Sequence, residues 1–343
     1  MLKILRSFVR KTIDSGLYWS GIGRGYEMAA RPDGAIILMY HSIAPDTFSD
    51  FIDPRNRLPV ETFDAQMAYL KRHRRVVPLS QVIDQITEGV SPPAGTVSIT
   101  FDDGYLDNLS TAAPILEKYK LPATLFLATG YVQRGEAQWA DRLHWLIRKR
   151  TTDKLRIPLP GFDEADLSSD TGRETLLREL HRYLLESTYD ERKKLLDGME
   201  SQLNPREGAP RLTLNWDDVR ELHRRYPLFD IGGHTREHID LRKHRKALAQ
   251  SEIDGCAEDL RRELGFAPRH FSFPYGRWCE ETRQFVRDSG WQSATGINLN
   301  VRVDNASDRF AIPRVEAPLS MTELRFKTSG AYPGILSILG LGA

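Results

Sequence analysis

The sequence predicts an α/β protein with a barrel-like alternation of strands and helices, and three observations carry that prediction. Short apolar runs of strand length alternate with segments of helical periodicity. In four places residues capable of acid–base or metal chemistry follow directly on such a run, where α/β folds gather their active sites: His41, Asp102 with Asp103, His234, and Pro274 with Tyr275. One long charged stretch, about 148 to 210, interrupts the alternation. It reads as a helical insertion rather than a second catalytic domain.

In chain order, the run AIILMYH (35–41), bounded by Pro32, Asp33 and Gly34, reads as a buried strand ending at His41. Residues 61–90 hold helical patterns around the basic cluster KRHRR (71–75), a solvated face, followed by a strand-like VVPLS. TVSITF (96–101) is a second buried strand that runs into Asp102, Asp103 and Gly104. NLSTAAPILEKYK is helical in composition and ATLFLATG is the next strand, so strand, helix and strand form a βαβ unit with parallel pairing. In the insertion, the stretch from Glu174 to Leu203 places leucines at three- and four-residue steps. Beyond it, LNWDDVRELHRR (helix), FDIGG (strand), ALAQSEIDGCAEDLRRELG (helix stopping at Gly265), RHFSFP (strand) and EETRQFVRDSG (helix) resume the pattern. The chain thus divides into a basic segment over 1–34, a domain over 35–320 containing the insertion, and a tail over 321–343.

The 343 residues are enough for one large α/β domain or two smaller ones. Forty-eight Lys and Arg against 47 Asp and Glu leave a net charge of +1, which provides no field for gathering nucleic acid. Two cysteines, Cys256 and Cys279, make no disulfide framework and suit a reducing compartment. The first residues are broken by Lys3, Arg6, Arg10, Lys11 and Asp14, so no export signal is read there, and the expected location is cytoplasmic. Leu2, Leu5, Val9 and Ile13 nevertheless fall at helical spacing, giving a basic amphipathic helix. It either packs on the domain or makes a peripheral membrane contact through residues 1–20.

Asp-Asp-Gly after a strand is also an ordinary turn sequence, but adjacent carboxylates there can split into a cation ligand and a free proton acceptor. His234 and His238, four apart in GGHTREHIDL, would face the same way on a helical turn, with Gly232 and Gly233 letting the chain turn sharply at the strand end. Either pair alone is commonly incidental. Together they supply two imidazoles and a carboxylate with open coordination positions, the set a hydrolytic metal uses, and a second carboxylate for the proton of the attacking water. In FSFPYGRW, Pro274, Tyr275 and Gly276 form a turn that could aim a backbone N–H at an oxyanion.

TFDDGY, then ATLFLATG, FDIGGHTREHIDL and FSFPYG, in that order over about residues 35–316, resemble the NodB-homology polysaccharide deacetylases, carbohydrate esterase family 4. The resemblance implies a distorted (β/α) barrel with fewer than eight strands. It implies Asp102 as catalytic base, Asp103, His234 and His238 as ligands of a divalent metal, expected to be zinc, and the Tyr275 N–H as oxyanion support. Two features depart from the family pattern. The arginine many members carry two residues before the motif proline is Ser272 here, which leaves Arg314 or Arg277 to orient the base. No histidine follows His270, so the late Leu-x-His that supplies the general acid is missing. His41 resembles the acid of a subgroup that takes it from the N-terminal strand; the other reading is a buried structural histidine. His73, His144, His181, His223 and His244 read as surface residues, and His270 receives no role.

The implied activity is removal of an N-acetyl or similar acyl group from an amino sugar in a bacterial-type polysaccharide or a lipid-linked glycan precursor. The expected partner is an acetylated glycan or sugar precursor. Two alternatives share the residues: non-haem iron chemistry on the same ligand set, which has no use for the second aspartate, and a catalytically inactive carbohydrate-binding protein, suggested by the two departures.

Overall fold

The computed structural model describes residues 33–157, 164–297 and 302–329. The amphipathic helix expected over residues 1–20 and the end of the tail lie outside them. No described helix is long and apolar enough to cross a membrane.

Strands β1 (Ala35–Tyr40), β2 (Thr96–Phe101), β3 (Ala123–Leu127), β4 (Phe229–Gly233), β5 (His270–Ser272), β6 (Ser293–Gly296) and β7 (Ile312–Pro313) lie side by side in that order, each parallel to the next. After β7 the chain crosses at once to β8 (Val315–Glu316), which pairs parallel with β1 through Leu38 and Met39. That step closes the sheet into a distorted barrel. Its hinge residue, Arg314, donates its N–H to Gly296 on one side, while Ala317 donates to Met39 on the other. The two-residue strand Arg302–Val303 adds antiparallel to β1.

Strands covered on both faces are near-continuous apolar runs, and β1, β2 and β3 are buried at every position. Around them, α1 (Val60–His73), α2 (Leu79–Thr87) and α3 (Ala113–Tyr119) cover the first half, and α7 (Trp216–Arg225), α8 (Lys246–Leu264) and α9 (Glu280–Asp288) the second. Phe63 of α1 meets Tyr40 edge-on at 5.3 Å, and Phe101 lies 5.8 Å from Phe229, tying the helix layer through the core to β4.

The insertion starts earlier than its charge density suggests. Helices α4 (Trp139–Lys149), α5 (Asp170–Glu186) and α6 (Tyr189–Leu203) share a separate apolar core of Trp139, Leu143, Leu146, Leu180, Leu196 and neighbours. A short antiparallel pair, Lys154–Leu155 with Ala165–Asp166, lies between α4 and α5, so the insertion is not purely helical. VVPLS also differs from expectation. Arg75–Val76 pair with β2 and Val77 adds one bond to Val97 O, but Pro78, which has no N–H to donate, caps the next helix, which begins at Leu79. The first residues assigned to the tail form α10 (Met321–Lys327), whose Leu324 and Phe326 are buried in the main core.

Candidate active site

The carboxyl ends of β1, β2, β4 and β5 bring together Asp102, Asp103, His234, His238 and Tyr275, with His41 beside them. Asp102 follows β2, and its N–H bonds the Tyr40 carbonyl across to β1. Asp103 then adopts φ 74 and Gly104 φ 84, a pair of left-handed residues that turns the chain out of the sheet. The turn is held by the chain returning from the insertion, where Leu214 N–H bonds Gly104 O and Leu106 N–H bonds Leu212 O.

His234 and His238 are brought together differently from expectation. The segment between them is not helical: Thr235 and His238 sit at φ 63 and φ 47, and the His238 N–H bonds Thr235 Oγ1 at 3.0 Å. Two left-handed residues fold the loop back so that the imidazole centroids lie 4.8 Å apart. Gly232 and Gly233 also serve another purpose than turning. Both lie inside β4, and a Cβ on Gly232 would stand 2.5 Å from the His270 carbonyl oxygen, while one on Gly233 would meet Trp291 and Cys256. They allow close packing beneath the histidines.

Asp102 is met by Arg314 from the barrel closure. The guanidinium binds both carboxylate oxygens at 2.7 and 2.6 Å, also donating to Thr100 Oγ1 (3.1 Å) and Ser272 Oγ (2.7 Å). Asp102 is 2% exposed and Arg314 2%. Burial works to raise the Asp102 pKa, but Arg314, with His234 and His41, holds it well below the usual carboxylate range. Of the two arginines proposed to orient the base, Arg314 is therefore the one in place; Arg277 pairs with Asp240 at 3.0 Å instead.

Asp103, His234 and His238 offer ligand atoms that all lie within 4.8 Å of one another. His238 Nε2 is 3.2 Å and His234 Nε2 3.7 Å from Asp103 Oδ1. Three observations fit a divalent cation there. Asp103 Oδ1 is buried without a hydrogen-bond partner. His234 Nδ1 donates to the Ser272 carbonyl at 2.7 Å, which leaves the Nε2 lone pair facing Asp103. Burial, together with Asp102 and Asp141, pushes the Asp103 carboxyl up, and burial lowers both histidines, so the trio lacks the positive charge that would keep Asp103 ionised.

His41 sits where charges on Asp102, Arg314 and His234 act on it. Burial lowers its pKa, and Asp102 opposes that. Its carbonyl accepts from Asn108 Nδ2 at 2.8 Å, and Asp107 takes Ser42 Oγ and Ile43 N–H, so the chain after β1 is fixed by the turn after β2. Tyr275 has φ 58, its ring packs edge-on against His238 at 4.6 Å, and its hydroxyl donates to the His238 carbonyl at 3.1 Å. His270 is fully buried against Ser293, remote in role from the cluster. His73 and His223 are exposed, whereas His181 is half-buried against Trp139 and Asp53.

Sequence reasoning missed Arg192 of α6, which is 1% exposed and reaches the carbonyls of Glu237 and His238. Its signal was present. Arg192 stands on the apolar stripe formed by Leu195, Leu196, Met199 and Leu203, where a cation has no reason to be unless something inside needs it. Beside it a cavity of about 520 Å³ opens between the insertion and the barrel, lined by Phe51, Tyr131, Trp139, Tyr189, Arg192 and Leu196, among others.

A family model described as polysaccharide deacetylase matches residues 89–294, from β2 to the start of β6, and includes Asp103, His234 and His238. The chain belongs to the polysaccharide deacetylase family. Among curated relatives, the Bacillus subtilis protein YxkH is 35% identical over 99 residues, 28% of this chain and 33% of that protein. A Staphylococcus aureus poly-β-1,6-N-acetyl-D-glucosamine N-deacetylase is 29% identical over 143 residues, 39% of this chain and 48% of the relative. The matches thus span one third to about half the length of these relatives. Among solved structures, the Streptococcus pyogenes deacetylase PplD in complex with acetate has a TM-score of 0.58 at 17% identity, covering 87% of this chain and 99% of that one. IcaB from Ammonifex degensii has the same TM-score at 18% identity, with 88% and 99% covered. These likenesses carry the deacetylase fold, a distorted barrel of parallel strands.

Proposed function

We propose that this polysaccharide deacetylase family member is a metal-dependent hydrolase that removes an N-acetyl group from an amino sugar of a glycan. The observation that supports this most strongly is the buried, bidentate Asp102–Arg314 pair set against a trio whose Asp103 oxygen has no partner. One carboxylate is held ionised and oriented; its neighbour is left for a cation. Two imidazoles and a carboxylate favour zinc.

A divalent cation held by Asp103, His234 and His238 would polarise the acetyl carbonyl and acidify the attacking water. Asp102 takes the proton of that water, and Arg314 keeps the carboxylate aimed through the step. The Tyr275 N–H, in its left-handed turn, donates to the developing oxyanion. His41 protonates the departing amine, so that acetate and a free amino group result. Arg314 stands in for the missing family arginine, presenting its guanidinium to both oxygens of Asp102 from the closure between β7 and β8.

Poly-N-acetylglucosamine oligomers are the substrates to test first, given the Staphylococcus aureus relative named for that activity. Our preferred natural target is a surface glycan precursor, lipid-linked at the inner face of the membrane, with residues 1–20 as the peripheral contact; deleting them should release the protein from a membrane fraction. For the chemistry, Asp102→Asn should keep metal affinity and lose about 10²–10⁴-fold in acetate release. Turnover unchanged in that variant would remove Asp102 from the base role, and glycan binding without acetate release by the wild type would favour the inactive binding protein.

A further inference from the structure

We propose that Arg192 is a positioning residue through which the insertion sets the metal-binding loop and the oxyanion turn of the barrel, an inference that rests on the deacetylase reading of the site. Arg192 belongs to α6 and not to the barrel, yet its guanidinium donates to two strand-end loops, and it also meets the Tyr131 hydroxyl. Nη1 donates to Glu237 O and His238 O, both at 3.0 Å, and Nη2 to the Tyr275 hydroxyl at 3.3 Å; Nε donates to Leu184 O within the insertion at 2.8 Å. The Tyr275 hydroxyl also accepts from Trp139 Nε1 at 3.0 Å and donates its own O–H to His238 O at 3.1 Å. The His238 carbonyl therefore receives two donors, one from the insertion directly and one relayed through Tyr275.

That convergence matters because of the backbone it holds. His238 and Tyr275 are non-glycine residues at φ 47 and φ 58. Such conformations are unfavourable for residues with a Cβ and persist where surroundings over-determine them. A carbonyl fixed by two donors orients the peptide after His238, and with it the imidazole direction toward Asp103.

A structural explanation alone fits poorly. Arg192 is 1% exposed and has no carboxylate partner among the described residues, an expensive placement for a cation that only fills space. A leucine or methionine would continue the apolar stripe of α6 without that penalty. The rigid five-donor fork is what the position uses, and lysine, with a single ammonium, cannot reach three acceptors on two loops at once.

The test compares wild type, Arg192→Lys and Arg192→Met, as full chains, by competition for Co²⁺ against a chromogenic chelator and by the visible spectrum of the Co²⁺ form. Thermal unfolding, and kcat and KM on acetylated glucosamine oligomers, are measured alongside. Partners that orient metal ligands typically control 10–100-fold in metal affinity or activity. Arg192→Lys should weaken Co²⁺ binding about 10-fold or more, shift the spectrum, and lower kcat with KM nearly unchanged. Wild-type Co²⁺ affinity and spectrum in a folded Arg192→Lys would overturn the proposal. If the Arg192 variants do not fold, Tyr275→Phe, which removes only the relay hydroxyl, should still weaken Co²⁺ binding; unchanged affinity there refutes it. Should wild type release no acetate, the deacetylase reading falls, while the Co²⁺ measurements still decide whether Arg192 positions the loop.

Discussion

Removing Arg314 is the perturbation whose consequence the structure defines best. In Arg314→Met the carboxylate of Asp102, 2% exposed, loses a partner that binds both oxygens at 2.7 and 2.6 Å. Breaking a buried pair from one side costs about 3–5 kcal/mol, because the remaining charge is stranded. With domain stabilities of about 5–15 kcal/mol, that is a large share. Asp102→Asn in the same background removes the stranded charge, so the double variant should recover about 1–3 kcal/mol relative to additivity. The pH dependence has a definite sign. In the wild type Asp102 titrates below its unfolded value, so its stabilisation is present above that value and fades only in acid. In Arg314→Met burial is opposed only by His234 and His41, themselves held toward the neutral form by burial, so the folded pKa rises above the unfolded one and stability is lost as pH increases. The deficit against wild type should thus be larger at pH 8 than at pH 5, at fixed metal concentration, by urea unfolding. A deficit of equal size at both pH values, additive with Asp102→Asn, would refute the reasoning.

Two further outcomes follow from other parts of the site. If His41 delivers a proton to the leaving amine, His41→Gln should lower N-acetyl hydrolysis by about 10²–10⁴-fold but p-nitrophenyl acetate hydrolysis far less, since phenolate departs without a proton; equal losses would assign His41 a structural part. Glu252, buried on α8, accepts the N–H groups of Arg236 and Glu237 in the histidine loop, and burial raises its pKa from 4.5 to about 7. Its folded value lies above the unfolded one, so stability present below pH 4.5 is lost as pH rises through about 7; Glu252→Gln, which keeps the acceptor, should become the more stable protein by roughly 2–3 kcal/mol at pH 8, and no gain there by urea unfolding would contradict the assignment.

The strands and the grouping of Asp103, His234 and His238 were legible because their signals are local. A fully buried parallel strand is an apolar run, and the residues at its carboxyl end lie at one end of the barrel, which is why TVSITF and FDIGG put Asp103 and His234 near each other. Loop conformation was not legible. The four-residue spacing of His234 and His238 suits a helical turn, but Thr235 and His238 are left-handed, and the loop is held not only by Thr235 Oγ1 but by Glu252 and Arg192, which lie 15 or more positions from the groups they bind. The two glycines of β4 were misread for a related reason: what they avoid, the His270 carbonyl and the Trp291 ring, belongs to other strands and loops. The insertion's start was hidden because Trp139–Lys149 reads as one more barrel helix until it is seen to share a core with Leu180 and Leu196.

The two buried arginines show what kind of information a single sequence withholds. Each is a cation on an apolar element: Arg314 between Ile312 and Val315 at the barrel closure, Arg192 on the leucine stripe of α6. That position is readable and signals that something inside requires a donor, but not which acceptor. The acceptors then separate their roles. Arg314 meets a carboxylate, so its burial is offset by charge, and its loss should appear mainly in stability and in the titration of Asp102. Arg192 meets only carbonyl and hydroxyl oxygens, so little Coulomb attraction supports it, and an apolar replacement costs about 1–3 kcal/mol through the acceptors it leaves unpaired, without the pH dependence of a stranded charge. Its loss should therefore appear in the geometry of His238 and Tyr275, which is why metal affinity rather than unfolding is the measurement that separates the two.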